Sequence, residues 1–166
     1  MKRLILVRHA KSDWSDEQLA DHDRPLSPRG ERDAPHMATR LAQRIGDAQP
    51  FILSSTAQRA RATAAAIAHA LPSPGAISFD SDLYLASPGT LLALLARQES
   101  ALPMLIAIGH NPGMTQLANL LLPTLHLDNL PTAGVVSLQL PIADWAEIGT
   151  APGSLDDLDY PKKSRR

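Results

Sequence analysis

The sequence predicts an α/β domain in three layers, with a mostly parallel central sheet covered by helices on both faces. Three observations lead there. Short apolar runs such as "LILV", "FIL" and "MLIAI" alternate with stretches whose apolar residues recur every three or four positions. A chain of 166 residues supplies one full core and is too short for two comfortable domains. Hydrophobic residues make up 44% of the chain but aromatic ones only 4%, so the core must be built from Leu, Ile, Val and Ala.

Leu4 to Val7 is the first strand, and a polar stretch from Ser12 to Arg24 follows it. In "PLSPRGERDAPHMATRLAQRIG" the apolar residues Ala34, Met37, Ala38, Leu41, Ala42 and Ile45 mark one helical face, with Ser27 and Pro28 as start signal and Gly46 as stop. Pro35 lies inside this helix and, lacking an N–H, is expected to kink it or delay its regular start. "FILSS" is the second strand, and "TAQRARATAAAIAHAL" is a helix packing through Ala57, Ala60, Ala64, Ile67, Ala68 and Leu71. "PSPG" reads as a loop, "AISF" as a short strand, and "SPGTLLALLA" as a helix capped by Ser87 with Pro88 at its first position. "PMLIAIGHNPG" is a strong strand running into a glycine-bounded turn, followed by the helix "MTQLANLLL". "AGVVSLQL" is a further strand, and Pro141 separates it from "ADWAEI", read as an antiparallel edge strand. The domain is thus expected over residues 1–150, with 151–166 a polar, frayed tail ending in "KKSRR". No internal repeat or low-complexity tract interrupts the chain.

The formal net charge of −1 leaves no broad field to attract nucleic acid or an anionic membrane, so anion binding must be local. "KKSRR" has no aromatic residues to stack on bases and reads as a solubilising end. Cysteine is absent, which excludes disulfides, thiolate metal sites and cysteine-dependent phosphatase chemistry. The apolar run after Lys2 and Arg3 stops at Val7, too short for a signal peptide or a membrane span, and the expected location is the cytoplasm.

In open α/β sheets ligands collect at the carboxyl ends of the strands. Three strands here end in nitrogen-rich groups: the first in Arg8 and His9, the second through Ser54 and Ser55 into Arg59, the third in His110 of "GHNPG". Each has a plain structural reading, a strand-end accident for Arg8-His9, a solvated helix charge for Arg59 beside Arg61, and a turn residue for His110. Together they describe two guanidiniums, two imidazoles and a helix N-terminus, a donor set that fits a phosphoryl group.

"RHA" after a hydrophobic strand, "RPLSPRG" opening a helix, "SSTAQRARATA" and "GHNPG", in that order over residues 1 to 148, resemble the histidine phosphatase superfamily, the phosphoglycerate-mutase-like group. The openings "VRHAKSDW" and "DHDRPLS" are similar to its SixA-type branch, the phosphohistidine phosphatases. The resemblance implies a phosphoglycerate-mutase-like fold, His9 as the phosphorylated nucleophile, Arg8 and Arg59 holding phosphoryl oxygens, and His110 donating to the same group. The chemistry stands without the family. A neutral imidazole is a competent nucleophile, a covalent phosphohistidine divides one hard displacement into two easier ones, and fixed donors stabilise the spread charge with no metal or cofactor required. Positive neighbours oppose protonation of His9.

The chain departs from the superfamily pattern in three places. Ala10 stands where glycine is usual, at little cost if its backbone angle is ordinary. Trp14 and Ser15 stand where an asparagine often joins the phosphate pocket, leaving Lys11 or Ser12 to substitute. "DSDLYLASPG" has Asp80, Asp82 and Tyr84 but no glutamate to protonate a leaving group, with Asp82 the candidate acid. Loss of an acid costs an alkoxide leaving group on the order of a hundredfold, but a phosphorylated imidazole leaves far more readily. The gap therefore favours phosphohistidine on a signalling protein of the histidine-phosphotransfer type. The rivals are a small phosphate ester cleaved by the same mechanism and a non-catalytic phosphoprotein-binding module. Asp21, His22 and Asp23 are adjacent in sequence, and consecutive residues seldom aim at one ion, so they read as a polar loop and not a metal site. Arg24 either lines the phosphate pocket or pairs with a carboxylate of that loop.

Overall fold

The computed structural model describes residues 1–72 and 76–163. Most of the expected "PSPG" loop and the last three residues of "KKSRR" lie outside them. Strands β1 (Lys2–Arg8), β2 (Phe51–Ser54), β3 (Ile77–Phe79), β4 (Met104–Gly109), β5 (Val135–Leu140) and β6 (Ser154–Asp159) form one sheet in the order β3-β2-β4-β1-β5-β6. The first four run parallel, while β5 is antiparallel to β1 and β6 antiparallel to β5, so the sheet is mixed.

Alternation along the strands divides the core in two. Leu4, Leu6, Leu105 and Ala107 pack against helices α3 (Pro88–Ala96) and α4 (Gly113–Leu121) on one face. Ile5, Val7, Ile106 and Ile108 meet α1 (Pro28–Ile45) and α2 (Gln58–Ala70) on the other. The three layers follow.

Three expectations need correction. Pro35 does not delay α1: the helix is regular from Pro28, because the Ser27 side chain accepts the Gly30 N–H and the Ser27 carbonyl accepts the Glu31 N–H. "ADWAEI" is not a strand but a single 3-10 turn, Trp145–Glu147, whose fully buried indole donates to the Leu102 carbonyl at 2.8 Å. The edge strand is β6, drawn from the expected frayed tail. "SLDDLD" lacks the apolar alternation of a half-buried strand, and ion pairs accompany its pairing with β5: Asp156 with Arg3 at 3.3 Å, Asp157 with Arg44 at 3.1 Å, and Asp159 with Arg40.

Two glycines mark where the motifs bring backbones together. A Cβ on Gly30 would lie 2.1 Å from the Lys11 carbonyl oxygen, so "RPLSPRG" needs glycine for α1 to abut the segment after His9. A Cβ on Gly113 would lie 2.0 Å from the Ala86 carbonyl oxygen, which sets the start of α4 against the segment after β3.

Candidate active site

Because β1 and β4 are adjacent and in register, Arg8 lies opposite Gly109, and the His9 N–H donates to the Gly109 carbonyl at 3.1 Å. His9 and His110 therefore leave neighbouring strand ends together, with ring centroids 5.0 Å apart. Arg59, in the first turn of α2, reaches both: its Nε donates to His9 Nε2 at 3.3 Å and its Nη2 to His110 Nδ1 at 3.3 Å. Arg8, His9, Arg59 and His110 line one cavity of about 310 Å³ together with Lys11, Ser12, Trp14, Leu85, Asn111 and Thr132.

Hydrogen bonds decide the tautomers of both imidazoles. His9 Nδ1 lies 2.7 Å from the Ala10 carbonyl oxygen, which only accepts, so Nδ1 carries the proton and Nε2 keeps its lone pair. An arginine only donates, so His110 Nδ1 is the acceptor and its Nε2–H donates to Ser55 Oγ at 2.8 Å. In this state His110 has no proton turned to a phosphoryl group, contrary to the simple donor role the resemblance implies. Burial, followed by the positive charges of Arg59 and Arg8, holds the His9 imidazole down to about 4 despite the opposing Ala10 carbonyl and Asp21. Burial does most of the same for His110, lowered to about 3, with His9 and Arg59 adding to it. Both rings are neutral at neutral pH, and burial outweighs the cationic neighbours that the sequence suggested as the cause.

The backbone at His9 is fixed from several sides. The Ala133 N–H donates to the His9 carbonyl at 3.0 Å. The Ala10 N–H donates to Thr63 Oγ1 at 3.0 Å, and that hydroxyl donates to the Arg59 carbonyl at 2.9 Å. Buried Thr63 thus ties the His9 segment to the helix that carries Arg59. Ala10 is not among the residues with positive φ, so alanine sits there without backbone strain. Arg8 Nη1 donates to the Leu130 carbonyl at 2.9 Å, while its buried Nε has no partner among the described residues. Burial and the charge of Arg59 lower the basicity of the Arg8 guanidinium. Such a donor is suited to an oxyanion.

Several site expectations fall elsewhere. Asp82 is exposed and does not line the cavity, and its N–H closes a turn on Asp80 Oδ1 at 2.9 Å. The carboxylate brought to the site is Asp21, which binds Arg59 Nη2 at 2.9 Å through Oδ2 and Nη1 at 2.6 Å through its carbonyl. Tyr84 OH also donates to Asp21 Oδ2. Burial pulls the Asp21 carboxyl up, but the bonds from Tyr84 and Arg59 outweigh it and leave it below the ordinary range, while burial and Asp21 push the Tyr84 phenol up. In the Asp21–Asp23 turn, His22 Nε2 bonds Thr56 Oγ1 at 2.8 Å and its Nδ1 lies 3.6 Å from Asp23 Oδ1, while the Asp21 carboxylate is engaged by Arg59 and Tyr84. Among the described residues no group of three or more His, Asp or Glu is placed to hold a metal. Arg24 does neither of the two things expected of it. It binds the Asp16 carbonyl at 3.2 Å and covers the Trp14 ring at 4.1 Å, and it does not line the cavity. Ser12 and Lys11 do line it, the former buried and the latter exposed.

Sequence reasoning missed Ser55, Thr63 and Tyr84 as site residues and placed Asp21 in a plain loop. Their signal was their place in quoted motifs, Asp21 in "DHDRPLS", Ser55 and Thr63 in "SSTAQRARATA", and Tyr84 in "DSDLYLASPG". Among the described residues no helix is long and apolar enough to cross a membrane.

The family model of the histidine phosphatase superfamily (branch 1) matches residues 4–84. The uncharacterized protein Rv1276c of Mycobacterium tuberculosis is 32% identical over 166 residues, spanning 94% of this chain and 100% of that one. A provisionally assigned phosphohistidine phosphatase SixA from Agrobacterium tumefaciens superposes with a TM-score of 0.80 at 29% identity, covering 96% of this chain and 98% of that one. A second, from Nakamurella multipartitia, gives a TM-score of 0.82 at 25% identity over 98% of this chain and 97% of that one. These likenesses support phosphatase activity. With a full-length relative, a matching family model and the same fold, the chain belongs to the histidine phosphatase superfamily.

Proposed function

We propose that the protein hydrolyses phosphohistidine on a phosphorylated protein of the histidine-phosphotransfer type, through a covalent phosphohistidine on His9. The observation that carries this reading is an unprotonated His9 Nε2 facing Arg59 in a cavity whose lining includes no carboxylate. Arg59 Nε covers the nucleophilic lone pair at 3.3 Å. Phosphoryl oxygens are charged and accept that N–H more strongly than an imidazole does, so substrate binding frees Nε2. Arg8 Nε and the Arg59 guanidinium then hold the equatorial oxygens as charge spreads onto them.

Nε2 attacks phosphorus, the bond from phosphorus to the substrate nitrogen breaks, and the leaving imidazole keeps the electron pair as a neutral ring if it entered protonated. Water then attacks the phosphoryl group on His9. The P–Nε2 bond breaks, Nε2 regains its lone pair, and phosphate leaves with the proton balance taken up by solvent. The incoming negative charge raises the basicity of His110 and draws Arg59 Nη2 off Nδ1, which then takes a proton from solvent, becoming the imidazolium, and donates to the phosphoryl group. Asp21 and Tyr84 orient Arg59 through this sequence. With Asp82 outside the cavity and Asp21 tied to Arg59, no carboxylate is placed to protonate an alkoxide, which supports phosphohistidine over a stable sugar ester.

Turnover of a phosphorylated histidine-phosphotransfer protein is to be compared with turnover of sugar and nucleotide phosphates. The reading expects kcat/KM for the phosphoprotein to exceed that for the esters by at least a hundredfold, the order of an acid's contribution. Equal or better hydrolysis of the esters would replace it with the phosphomonoesterase reading.

A further inference from the structure

Of the large hydrophobic side chains exposed to solvent, two border the cavity that holds His9: Trp14, 59% exposed, and Leu85, 56% exposed. The chain has two tryptophans, and the other, Trp145, is fully buried. Trp14 is nevertheless held firmly. The Asp13 N–H donates to the Pro25 carbonyl at 2.8 Å, and the Ser15 N–H donates to Asp13 Oδ1 at 2.8 Å. The guanidinium of Arg24, a residue only 8% exposed, lies 4.1 Å over the indole. A buried arginine thus braces one side of an exposed ring at the rim of a cavity with room for a phosphoryl group and a ring attached to it. Leu85 sits at φ +50°, in the left-handed region that a leucine enters only at a cost, beside Tyr84 of the same site.

We propose that Trp14 is a specificity-determining residue, a platform on which the imidazole ring of the substrate's phosphohistidine stacks, with Leu85 as a second apolar contact. The proposal rests on the phosphohistidine reading above. In that substrate the planar ring is bonded directly to phosphorus, so a phosphoryl group at His9 puts the ring at the cavity wall. An indole braced by a cation on one side takes a second planar group by offset stacking. Trp14 offers one N–H donor and Leu85 none, so a leaving group rich in hydroxyls finds few partners there.

The test measures kcat/KM of wild type, Trp14→Ala and Trp14→Phe on a phosphohistidine peptide, on phosphoramidate and on glucose 6-phosphate. Phosphoramidate has the same P–N bond without a ring. Trp14→Ala is expected to lower the ratio of phosphohistidine to phosphoramidate turnover about tenfold, and Trp14→Phe to restore it to within about threefold. An unaltered ratio in Trp14→Ala, or a greater loss on glucose 6-phosphate than on the peptide, would overturn the platform while leaving the phosphohistidine reading in place. Absence of peptide turnover in wild type would overturn both.

Discussion

Thr63 offers a sharp test of how the nucleophile is positioned. Replacing it with valine preserves shape and removes the hydroxyl that joins Ala10 to Arg59. Ala10 is fully buried, and valine leaves its N–H without an acceptor, a loss of about 1–3 kcal/mol. The Arg59 carbonyl loses less, because it still accepts the N–H of residue 63 within α2. For a chain of 166 residues, that lowers Tm by roughly 2–12 °C. The same change loosens the Ala10 carbonyl that sets the His9 tautomer, and a misplaced nucleophile costs about tenfold to a hundredfold in kcat. Thermal unfolding and steady-state hydrolysis read the two effects. Thr63→Ser keeps the hydroxyl and should retain kcat to within about threefold while losing about 1 kcal/mol for the missing methyl. Wild-type stability and kcat in Thr63→Val, or a loss of kcat in Thr63→Ser equal to that in Thr63→Val, would refute the reasoning.

Acid should destabilise the fold through its buried imidazoles. His9 titrates at about 4 in the fold against an ordinary 6.5, so the unfolded chain binds more protons in that interval. Its contribution is complete above about pH 6.5 and is lost as pH falls through about 4, amounting to about 3 kcal/mol. Urea midpoints between pH 8 and 4 should fall more steeply for wild type than for His9→Ala, and parallel curves would contradict the burial argument. Asp21→Asn should reduce kcat/KM by about tenfold or more, since Arg59 loses a charged partner, whereas Asp82→Asn should change it less than twofold. Hydrolysis assays of both variants check this, and the reverse order would restore Asp82 as the acid. Imidazole ¹⁵N spectra should show His9 protonated at Nδ1 and bare at Nε2 from pH 5 to 8. A midpoint near 6.5 would oppose the assignment.

Much of the site was legible because its main members sit just beyond, or in the first turn after, strongly apolar strands. Arg8, His9 and His110 follow runs whose burial on both faces leaves no other reading than interior strand, and adjacency of β1 and β4 then brings the imidazoles together. Gly30 and Gly113 were visible as motif letters, although their reason, contact with the Lys11 and Ala86 carbonyls, is tertiary. The supporting residues were not legible for the same reason. Thr63 shares the buried face of α2 with Ala60, Ala64 and Ile67 and reads there as one more small packing residue, Tyr84 closes a 3-10 turn after a weak strand, and Asp21 is one acid among several until Arg59 selects it. The edge strand β6 was hidden because its aspartates find arginines on β1 and α1, pairings that no local periodicity records.

The central claim is that His9 Nε2 accepts the phosphoryl group. Rapid quench of the enzyme with a ³²P-labelled phosphohistidine protein, followed by peptide mapping, tests it most directly. The account predicts an acid-labile, alkali-stable label on Nε2 of His9, formed and discharged at rates compatible with turnover and absent from His9→Ala. Turnover without any label, or a label on Nδ1 or on another residue, would contradict it.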